Sequence, residues 1–367
     1  MAAERRVRLV ERLAEAGAAQ PSGVKAKAPD SFLVTKLENV RYLTGFTGSN
    51  GMLLLGKDGS ARLFTDPRYT LQAASEADCK VTIAKGPMAK SVAKAIEKAG
   101  YRRLAVEQDH LTLGASEALK KDLPSRTETL PVSGLVENLR MVKDASELQA
   151  IRESVIANSE ALEQALRQLK PAMSETDLAA EIDYRNRKLG AERPAFDTIV
   201  ASGARSALPH AHPGDTLIGS GILLIDMGAF LHGYASDMTR MVHLGKAPAK
   251  YKQAYAAVLE AQLAAIAAVK PGVKASKVDK AARDVLKKHG LEKAFVHSTG
   301  HGLGLEIHER PRLGRKDSTV LTEGMAITIE PGVYLEGWGG IRIEDTIVVT
   351  ATGCDVLTPT TKDLRTI

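Results

Sequence analysis

Four carboxylates and one imidazole in the second half of the chain could do chemistry together. They are Asp226, Asp237, His301, Glu330 and Glu344, and each lies in a strand-like or turn-like run. Four carboxylates brought together without cations would repel one another and would not stay ionised. Two divalent cations would neutralise about four negative charges, and a hydroxide bridging them would be a nucleophile. A buried cluster of these residues would therefore indicate a site for two divalent metal ions.

The local sequence around the two aspartates predicts that they lie side by side. Asp226 ends the apolar run 222–225, and Asp237 leads into the run that contains Met241 and Val242. Two β-rich runs joined by a glycine-containing loop are typical of a hairpin. A hairpin of this kind places both carboxylates next to each other.

The other three residues lie at a strand end, on a strand and in a loop. Glu330 follows an apolar run and precedes Pro331, so we expect it at a strand end. Glu344 and Arg342 share one face of an alternating strand, because strand side chains repeat every two residues. His301 lies in a glycine-rich segment, where a loop can bring its imidazole close to a metal ion. Taken singly, such residues are usually turn caps or loop residues, so the prediction depends on the whole set.

Together with their neighbours, these residues resemble the pita-bread metallopeptidases, the family of aminopeptidase P, prolidase and methionine aminopeptidase. The resemblance spans roughly residues 147–350 and is carried by IDMGA around Asp226, SDMTR around Asp237, HSTGHGLGLEIHERP at 297–311, TIEPGVY around Glu330 and GIRIEDT around Glu344. It implies that Asp226 and Glu344 chelate or bridge the metal ions and that Asp237 bridges them. His301 and Glu330 would complete the coordination.

The same resemblance implies two catalytic and three substrate-binding residues. His308 is similar to the histidine that contacts the substrate near the scissile carbonyl, and His210 to a loop histidine on the opposite wall. Imidazoles there can donate hydrogen bonds to a developing oxyanion. The pocket for the residue after the cleaved bond would be lined by His297, Tyr334 and Arg342. Packing is the alternative interpretation of His297 and Tyr334.

The chain departs from the family pattern directly after His210. Relatives would have glycine at the next position, whereas this chain has Ala211 followed by His212. We expect His212 to be a surface residue; the alternative is a second contact from the same loop to the substrate.

Residues 1–140 alternate helix-like and strand-like runs. The strand-like runs are 31–34, 51–55, 61–65 and 103–107, and a helix-like run at 89–98 precedes the last of them. This order predicts an α/β unit with its own core. The segments NVRYLTGFTG and FTDPRY also resemble the creatinase-type N-terminal domain, which accompanies aminopeptidase P and prolidase but not the usual methionine aminopeptidase.

The predicted domains are 1–140, the creatinase-like part, and 141–367, the pita-bread part. Asp144 with Glu147 three residues later predicts the N-cap of a helix that runs to about Leu169. Two helix pairs then recur about a hundred residues apart, each ended by a glycine and followed by strands. The fold class expected is therefore α/β (α+β), with a pseudo-two-fold, curved antiparallel sheet and outer helices in the second domain.

Composition excludes several other classes. Hydrophobic residues make up 44% and charged residues 26% of the chain, as in ordinary globular proteins. The net charge is +6, and the basic residues are scattered along the chain instead of forming blocks, which argues against nucleic-acid binding. The sequence contains no run of about eighteen apolar residues, so no membrane-spanning helix is predicted. Cys79 and Cys354 lack metal-binding or redox spacing, which indicates reduced thiols in a cytoplasmic protein. A homodimer is expected only by analogy with the family.

The leading hypothesis is a dinuclear-metal peptidase that removes the N-terminal residue from Xaa-Pro peptides through a metal-bridging hydroxide. The alternative is an Xaa-Pro dipeptidase (prolidase) restricted to dipeptides, and the segments RYLTGFTGSNG and FTDPRY favour the aminopeptidase. A remote alternative is a pita-bread module that binds ligands without catalysis, which the five intact ligand positions disfavour. Oxygen-rich ligands favour manganese or cobalt, with zinc possible.

Overall fold

The computed structural model of the protein describes residues 2–16 and 28–367. The chain divides into two compact units, Met1–Arg140 and Met141–Ile367, which we propose as its two domains. Among the described residues, no helix is both long and apolar enough to cross a membrane. Both cysteines, Cys79 and Cys354, are free thiols.

The N-terminal unit is a mixed sheet with helices, as its alternating runs predict. Its strands are β1 (Ser31–Val34), β2 (Gly51–Gly56), β3 (Ala61–Thr65), β4 (Lys80–Ile83), β5 (Arg103–Glu107) and β6 (Glu128–Val132). Its helices are α1 (Ala2–Ala16), α2 (Leu37–Thr44), α3 (Thr70–Glu76), α4 (Met88–Ala99), α5 (Leu113–Asp122) and α6 (Leu135–Arg140). The strand order is β4-β3-β2-β1-β5-β6, and Leu33, Leu54 and Phe64 pack against α4 in its core.

Two helix pairs repeat in the C-terminal unit, as predicted. The helices are α7 (Ala145–Leu166), α8 (Glu175–Lys188), α9 (Ala249–Ala268) and α10 (Ala275–Lys288). Gly190 and Gly290 follow the second helix of each pair with φ of 100° and 70°, a conformation that favours glycine. Equivalent β-bridges, Ser174 with Leu217 and Lys274 with Val320, precede those helices. The repeat in the sequence is therefore a repeat of structure.

The strands of the C-terminal unit are short and mostly antiparallel. They are β7 (Arg193–Pro194), β8 (Ile199–Ser202), β9 (Gly221–Met227), β10 (Ala229–Leu231), β11 (Tyr234–Ala235), β12 (Met238–Leu244), β13 (His301–Gly302), β14 (Glu309–Arg312), β15 (Ala326–Ile329), β16 (Gly332–Leu335), β17 (Gly339–Arg342), β18 (Asp345–Val349), β19 (Cys354–Val356) and β20 (Arg365–Thr366). Hydrogen bonding divides the expected curved sheet into several ladders, chiefly β20-β12-β9-β8 and β14-β13-β15-β18-β19.

The alternation along β9 explains how the core and the site are separated. Leu223 and Ile225 pack in the cluster that contains Leu162 and Leu178 of the first helix pair. Leu224 points the other way, into the cluster that contains Val258 of the second pair. Asp226 has the same parity as Leu224, so its carboxylate lies on the interior side of the strand.

A capping box begins α7, as the sequence predicts. Asp144 Oδ1 accepts hydrogen bonds from the amides of Ser146 at 3.0 Å and Glu147 at 3.1 Å, and Glu147 Oε2 accepts one from the amide of Asp144 at 3.1 Å. Asp144→Ala would leave these donors without a side-chain partner. We expect it to lower the free energy of unfolding by about 1 kcal/mol, measured by urea denaturation, and Asp144→Asn to cost less. Equal losses in both variants would contradict the capping role.

Candidate active site and metal centre

A cavity of about 550 Å³ in the C-terminal unit brings the predicted site residues together. Nine of the ten line it: Asp226, Asp237, His301, Glu330, Glu344, His308, His210, His297 and Arg342. The tenth, Tyr334, contacts this set, since its hydroxyl is 2.9 Å from Nε2 of His297 and 2.6 Å from Nη1 of Arg342. Residues separated by more than a hundred positions in the chain thus form one site.

The register of one hairpin positions the two aspartates. β9 and β12 pair with Asp226 opposite Thr239 and Met227 opposite Met238, so Asp237 lies at the same end of the ladder as Asp226. The hairpin prediction is confirmed, and the residues between the strands form a further small hairpin, β10–β11. Gly228 permits the close approach there, because a Cβ atom would collide with the carbonyl oxygen of Ser236.

A second antiparallel ladder positions the two glutamates in the same way. β15 and β18 pair with Ile329 opposite Asp345, so Glu330 and Glu344 lie at one end of that ladder. The amide of Glu344 donates to the carbonyl of Thr239 at 3.3 Å, which joins the ends of the two ladders. Each half of the repeat therefore contributes one pair of carboxylates.

His301 completes the cluster with a ring nitrogen available for coordination. Candidate ligand atoms of Asp237, His301 and Glu344 all lie within 4.8 Å of one another. His301 Nε2 is 3.5 Å from Asp237 Oδ2 and 3.3 Å from Glu330 Oε1. Its Nδ1 lies 3.0 Å from the carbonyl of Gly302, and donation to that oxygen leaves a lone pair on Nε2. This is the tautomer that a metal ligand requires.

Burial and mutual repulsion make the carboxylates reluctant to ionise without cations. Burial, followed by the charges of neighbouring carboxylates, raises the pKa of Asp237 and of Glu344 well above the usual range. Burial is also the main cause that raises the pKa of Glu330 to about 7. Burial lowers the pKa of His301, which favours the neutral imidazole. Divalent cations bound there would favour the ionised carboxylates and lower their pKa values.

Asp226 provides an independent test of whether a metal ion fits. Its Oδ2 accepts a hydrogen bond from Arg342 Nη2 at 2.5 Å. Its Oδ1 is buried and has no hydrogen-bond partner among the described residues. A buried oxygen without a partner is costly, and a cation would satisfy it. The residues therefore fit a site for divalent metal ions.

Arg342 is committed to the site itself. It is buried, and besides Asp226 it donates to the Tyr334 hydroxyl at 2.6 Å, to Thr239 Oγ1 at 3.0 Å and to the carbonyl of Pro209 at 3.3 Å. The hydroxyl of Tyr334 is then oriented to donate to His297 Nε2. Because Arg342 is hydrogen-bonded to Asp226 and Tyr334, it has little freedom to bind a substrate carboxylate.

The pKa values agree with this hydrogen-bond chain. Burial, followed by the charge of Arg342, lowers the pKa of His297 to about 4, so the ring is neutral and accepts through Nε2. Burial raises the pKa of Tyr334 to about 12, so its hydroxyl keeps the proton that it donates. The wall formed by His297 and Tyr334 is therefore uncharged.

The remaining histidines lie on exposed parts of the cavity wall. The ring of His308 packs edge-on against His301 with centroids 4.4 Å apart, and burial followed by the charge of His301 lowers the pKa of His308. His210 and His212 are both exposed and both line the cavity. The expectation of a surface His212 is therefore incomplete, because its loop presents two imidazoles to the site.

Two residues of the site were not singled out from the sequence. Thr239 Oγ1 donates to Glu344 Oε2 at 2.7 Å, and Arg312 on β14 lines the cavity. Thr239 lies inside the motif around Asp237, two residues further along the chain. Because side chains of a strand alternate, this spacing could have predicted that Thr239 is on the same face as Asp237. Arg312 follows Pro311, so it lies one residue beyond the motif considered.

Comparisons with known proteins identify the family of both units. Residues 149–351 match metallopeptidase family M24, and residues 23–142 match the Creatinase/Prolidase N-terminal domain. An Xaa-Pro dipeptidase from Pyrococcus horikoshii is 38% identical over 336 residues, covering 91% of this chain and 94% of that protein. The solved Xaa-Pro dipeptidase from Bacillus anthracis superposes with a TM-score of 0.94 at 39% identity, covering 100% of both chains. The X-Pro aminopeptidase from Thermotoga maritima has a TM-score of 0.87 at 35% identity, covering 92% of this chain and 98% of that one.

The chain belongs to metallopeptidase family M24. It is a metallopeptidase that combines a creatinase-type N-terminal α/β domain with a pita-bread catalytic domain. The family, the fold class and the enzymatic nature predicted from the sequence are confirmed. The roles of individual site residues remain proposals, which the following two predictions test.

Asp237→Asn and Glu344→Gln are expected to abolish activity and metal binding. Each removes one negative charge from the cluster and keeps the side-chain shape. Because both pKa values are raised, ionisation of these groups opposes folding without metal, so the metal-free variants should be at least as heat-stable as the metal-free wild type. Metal content and circular dichroism melting check both parts. Turnover close to wild type in either variant would rule out the two-metal assignment.

His308→Ala is expected to lower turnover by roughly a hundredfold while both metal ions are retained, because an imidazole that donates to the oxyanion acts on the transition state. Elemental analysis beside the kinetics separates the alternatives. If the variant loses metal, His308 is a ligand and its assignment as a catalytic residue is wrong.

Proposed function

We propose that this protein is a metal-dependent Xaa-Pro dipeptidase, which hydrolyses the bond before proline in dipeptides. The sequence favoured the aminopeptidase, with the dipeptidase as its alternative. Several similar proteins carry the name Xaa-Pro dipeptidase or prolidase, including those from Pyrococcus horikoshii and Bacillus anthracis. These relatives favour the dipeptidase over the aminopeptidase.

The main observation in favour of the dipeptidase is that the guanidinium group of Arg312 is available to bind a substrate carboxylate. Its side chain lines the cavity, and its Nε makes one long contact of 3.4 Å with Ser298 Oγ. The two Nη groups have no hydrogen-bond or ion-pair partner among the described residues. A free guanidinium holds a carboxylate through two parallel hydrogen bonds. In a dipeptide, the terminal carboxylate lies one residue beyond the cleaved bond, and Arg312 is the available group to bind it.

The other residues have roles that follow from their chemistry. Two divalent ions, when bound by Asp226, Asp237, His301, Glu330 and Glu344, would polarise the scissile carbonyl and lower the pKa of a coordinated water. His308 and His210, exposed to the cavity, would donate hydrogen bonds to the developing oxyanion. The uncharged wall of His297 and Tyr334 suits the proline ring, which loses little entropy on binding because it is already rigid.

An Xaa-Pro aminopeptidase is the second candidate. The fold of the Thermotoga maritima enzyme supports it, and both activities share the metal site and the proline pocket in this proposal. Manganese or cobalt as the metal, a homodimer and a cytoplasmic location remain parts of the proposal. Proline-containing peptides are the proposed substrates.

Kinetics on matched peptides test this proposal. With manganese or cobalt added, Ala-Pro should be cleaved far better than Ala-Ala and better than Ala-Pro-Ala. Arg312→Gln should raise KM for Ala-Pro by about tenfold or more, since one charged bidentate contact is lost, and Arg312→Lys should lie between. Ala-Pro amide, which lacks the carboxylate, is the control and should respond little to either substitution.

The possible outcomes separate the candidates. If Ala-Pro-Ala is turned over at least as well as Ala-Pro, and Arg312→Gln leaves both unchanged, the protein is an aminopeptidase. Equal rates on Ala-Pro and Ala-Ala, or a preference for N-terminal methionine, would reject both Xaa-Pro activities.

A further inference from the structure

Arg240 lies behind the metal centre and uses its whole hydrogen-bonding capacity. Its side chain is buried. It donates through Nε to the carbonyl of Thr361 at 3.0 Å, through Nη1 to the carbonyls of Thr239 at 3.0 Å and Glu344 at 2.5 Å, and through Nη2 to Asp345 Oδ1 and the carbonyl of Thr360, both at 2.7 Å. An arginine has five N–H donors, and all five are engaged here.

Asp345 is the counterpart of Arg240 and is equally saturated. It is fully buried, and its Oδ2 accepts from Gln262 Nε2 and Lys362 Nζ, both at 2.8 Å. A buried ion pair is stable only when its remaining donors and acceptors are satisfied. Gln262 on the outer helix α9 and Lys362 near the end of the chain meet this requirement.

The position of this pair relates it to the metal ligands. Arg240 lies on β12 three residues after Asp237, which immediately precedes that strand, and Asp345 directly follows Glu344. Arg240 also holds the carbonyl of Glu344 itself, so the peptide group that carries this ligand cannot rotate freely. A reciprocal contact fixes the other ligand, since Thr346 Oγ1 donates to the carbonyl of Asp237 at 2.9 Å.

The segment 357–367, beyond the region that matches the M24 family, completes this arrangement. It supplies Lys362 and two of the four carbonyl oxygens that Arg240 contacts, those of Thr360 and Thr361. Thr358 Oγ1 accepts from the amide of Thr346 at 3.0 Å, and β20 pairs in parallel with β12. The hydroxyl of Tyr255 donates to the carbonyl of Lys362 at 2.8 Å, which holds the segment against α9.

We propose that Arg240 and Asp345, completed by Lys362, are positioning residues for the metal centre. They would set the orientation of Glu344, and with it the distance between Glu344 and Asp237, which decides how tightly divalent ions bind. The segment 357–367 would thus contribute to metal affinity without providing a ligand. This inference rests on the proposed two-metal function. Residues that orient metal ligands affect metal affinity by about ten- to a hundredfold.

Titration of Mn²⁺ into the metal-free protein by isothermal calorimetry tests the inference. Arg240→Lys should weaken Mn²⁺ binding at least tenfold and lower kcat with little change in KM, because a lysine has three donors and cannot form the five-donor fork. Arg6→Lys in the N-terminal unit is the matched control. Arg6 is also buried and pairs with Asp78 and the carbonyl of Leu43, so its substitution should lower the melting temperature and leave Mn²⁺ affinity unchanged.

Lys362→Met gives a second, milder test if Arg240→Lys does not fold. The lysine side chain is 22% exposed, so the substitution leaves the core intact and removes one donor from Asp345. We expect about tenfold weaker Mn²⁺ binding, with recovery in Lys362→Arg.

The results distinguish this inference from the function on which it rests. If the wild type itself binds neither Mn²⁺ nor Co²⁺, the proposed function fails. If the wild type binds Mn²⁺ and folded Arg240→Lys and Lys362→Met bind it equally well, only the positioning role is overturned. A lower melting temperature with unchanged affinity would make the pair merely structural, which also overturns it.

Discussion

The burial and mutual repulsion of four carboxylates in one cavity are the constraint on which the rest of the site depends. Asp226, Asp237, Glu330 and Glu344 are brought to one cavity wall, and the raised pKa values of the last three record the cost. One protein cation, Arg342, pairs directly with Asp226. Oδ1 of Asp226 is buried and has no hydrogen-bond partner among the described residues, which indicates that protein groups alone do not compensate the negative charge of the cluster. A site of this kind requires divalent cations to neutralise its carboxylates.

The internal repeat explains how such a cluster can be built. Each half of the C-terminal unit ends one antiparallel ladder with a pair of carboxylates, and the two ends face each other. Neither half could hold two ions with its own pair. The hydrogen bond from Thr239 to Glu344 crosses between the halves, so ligand geometry depends on their packing and not on either hairpin alone. Buried polar groups satisfied in this way rigidify the site.

Hydrolysis and substrate length are separate properties of this cavity. The candidate ligands and the histidines that would act on the carbonyl concern the scissile bond itself, whatever the length of the peptide. In the proposed dipeptidase, length selection would depend on Arg312, which lines the same cavity and whose Nη groups have no hydrogen-bond or ion-pair partner among the described residues. Arg342, which the sequence predicts as a substrate-binding residue, is hydrogen-bonded to Tyr334 and Asp226 within the site.

Much of the fold and of the ligand set could be predicted, because it follows from local patterns. The capping box of α7, the hairpin of Asp226 and Asp237 and each single helix of the recurring pairs depend on residues that are close to one another along the chain. Residue types at spaced motifs, together with the resemblance to the pita-bread metallopeptidases, were then enough to predict nine of the residues that line the cavity.

The partners of the arginines could not be predicted in this way. Whether Arg342 is free or bound to Asp226, whether Arg312 is paired, and which carbonyls Arg240 holds are decided by contacts between distant parts of the chain. No short-range pattern encodes such contacts. The sequence by itself determined which chemistry is available to this protein. Only the tertiary structure decided which charged groups are already neutralised and which remain to meet a substrate, because burial and long-range hydrogen bonds set that balance.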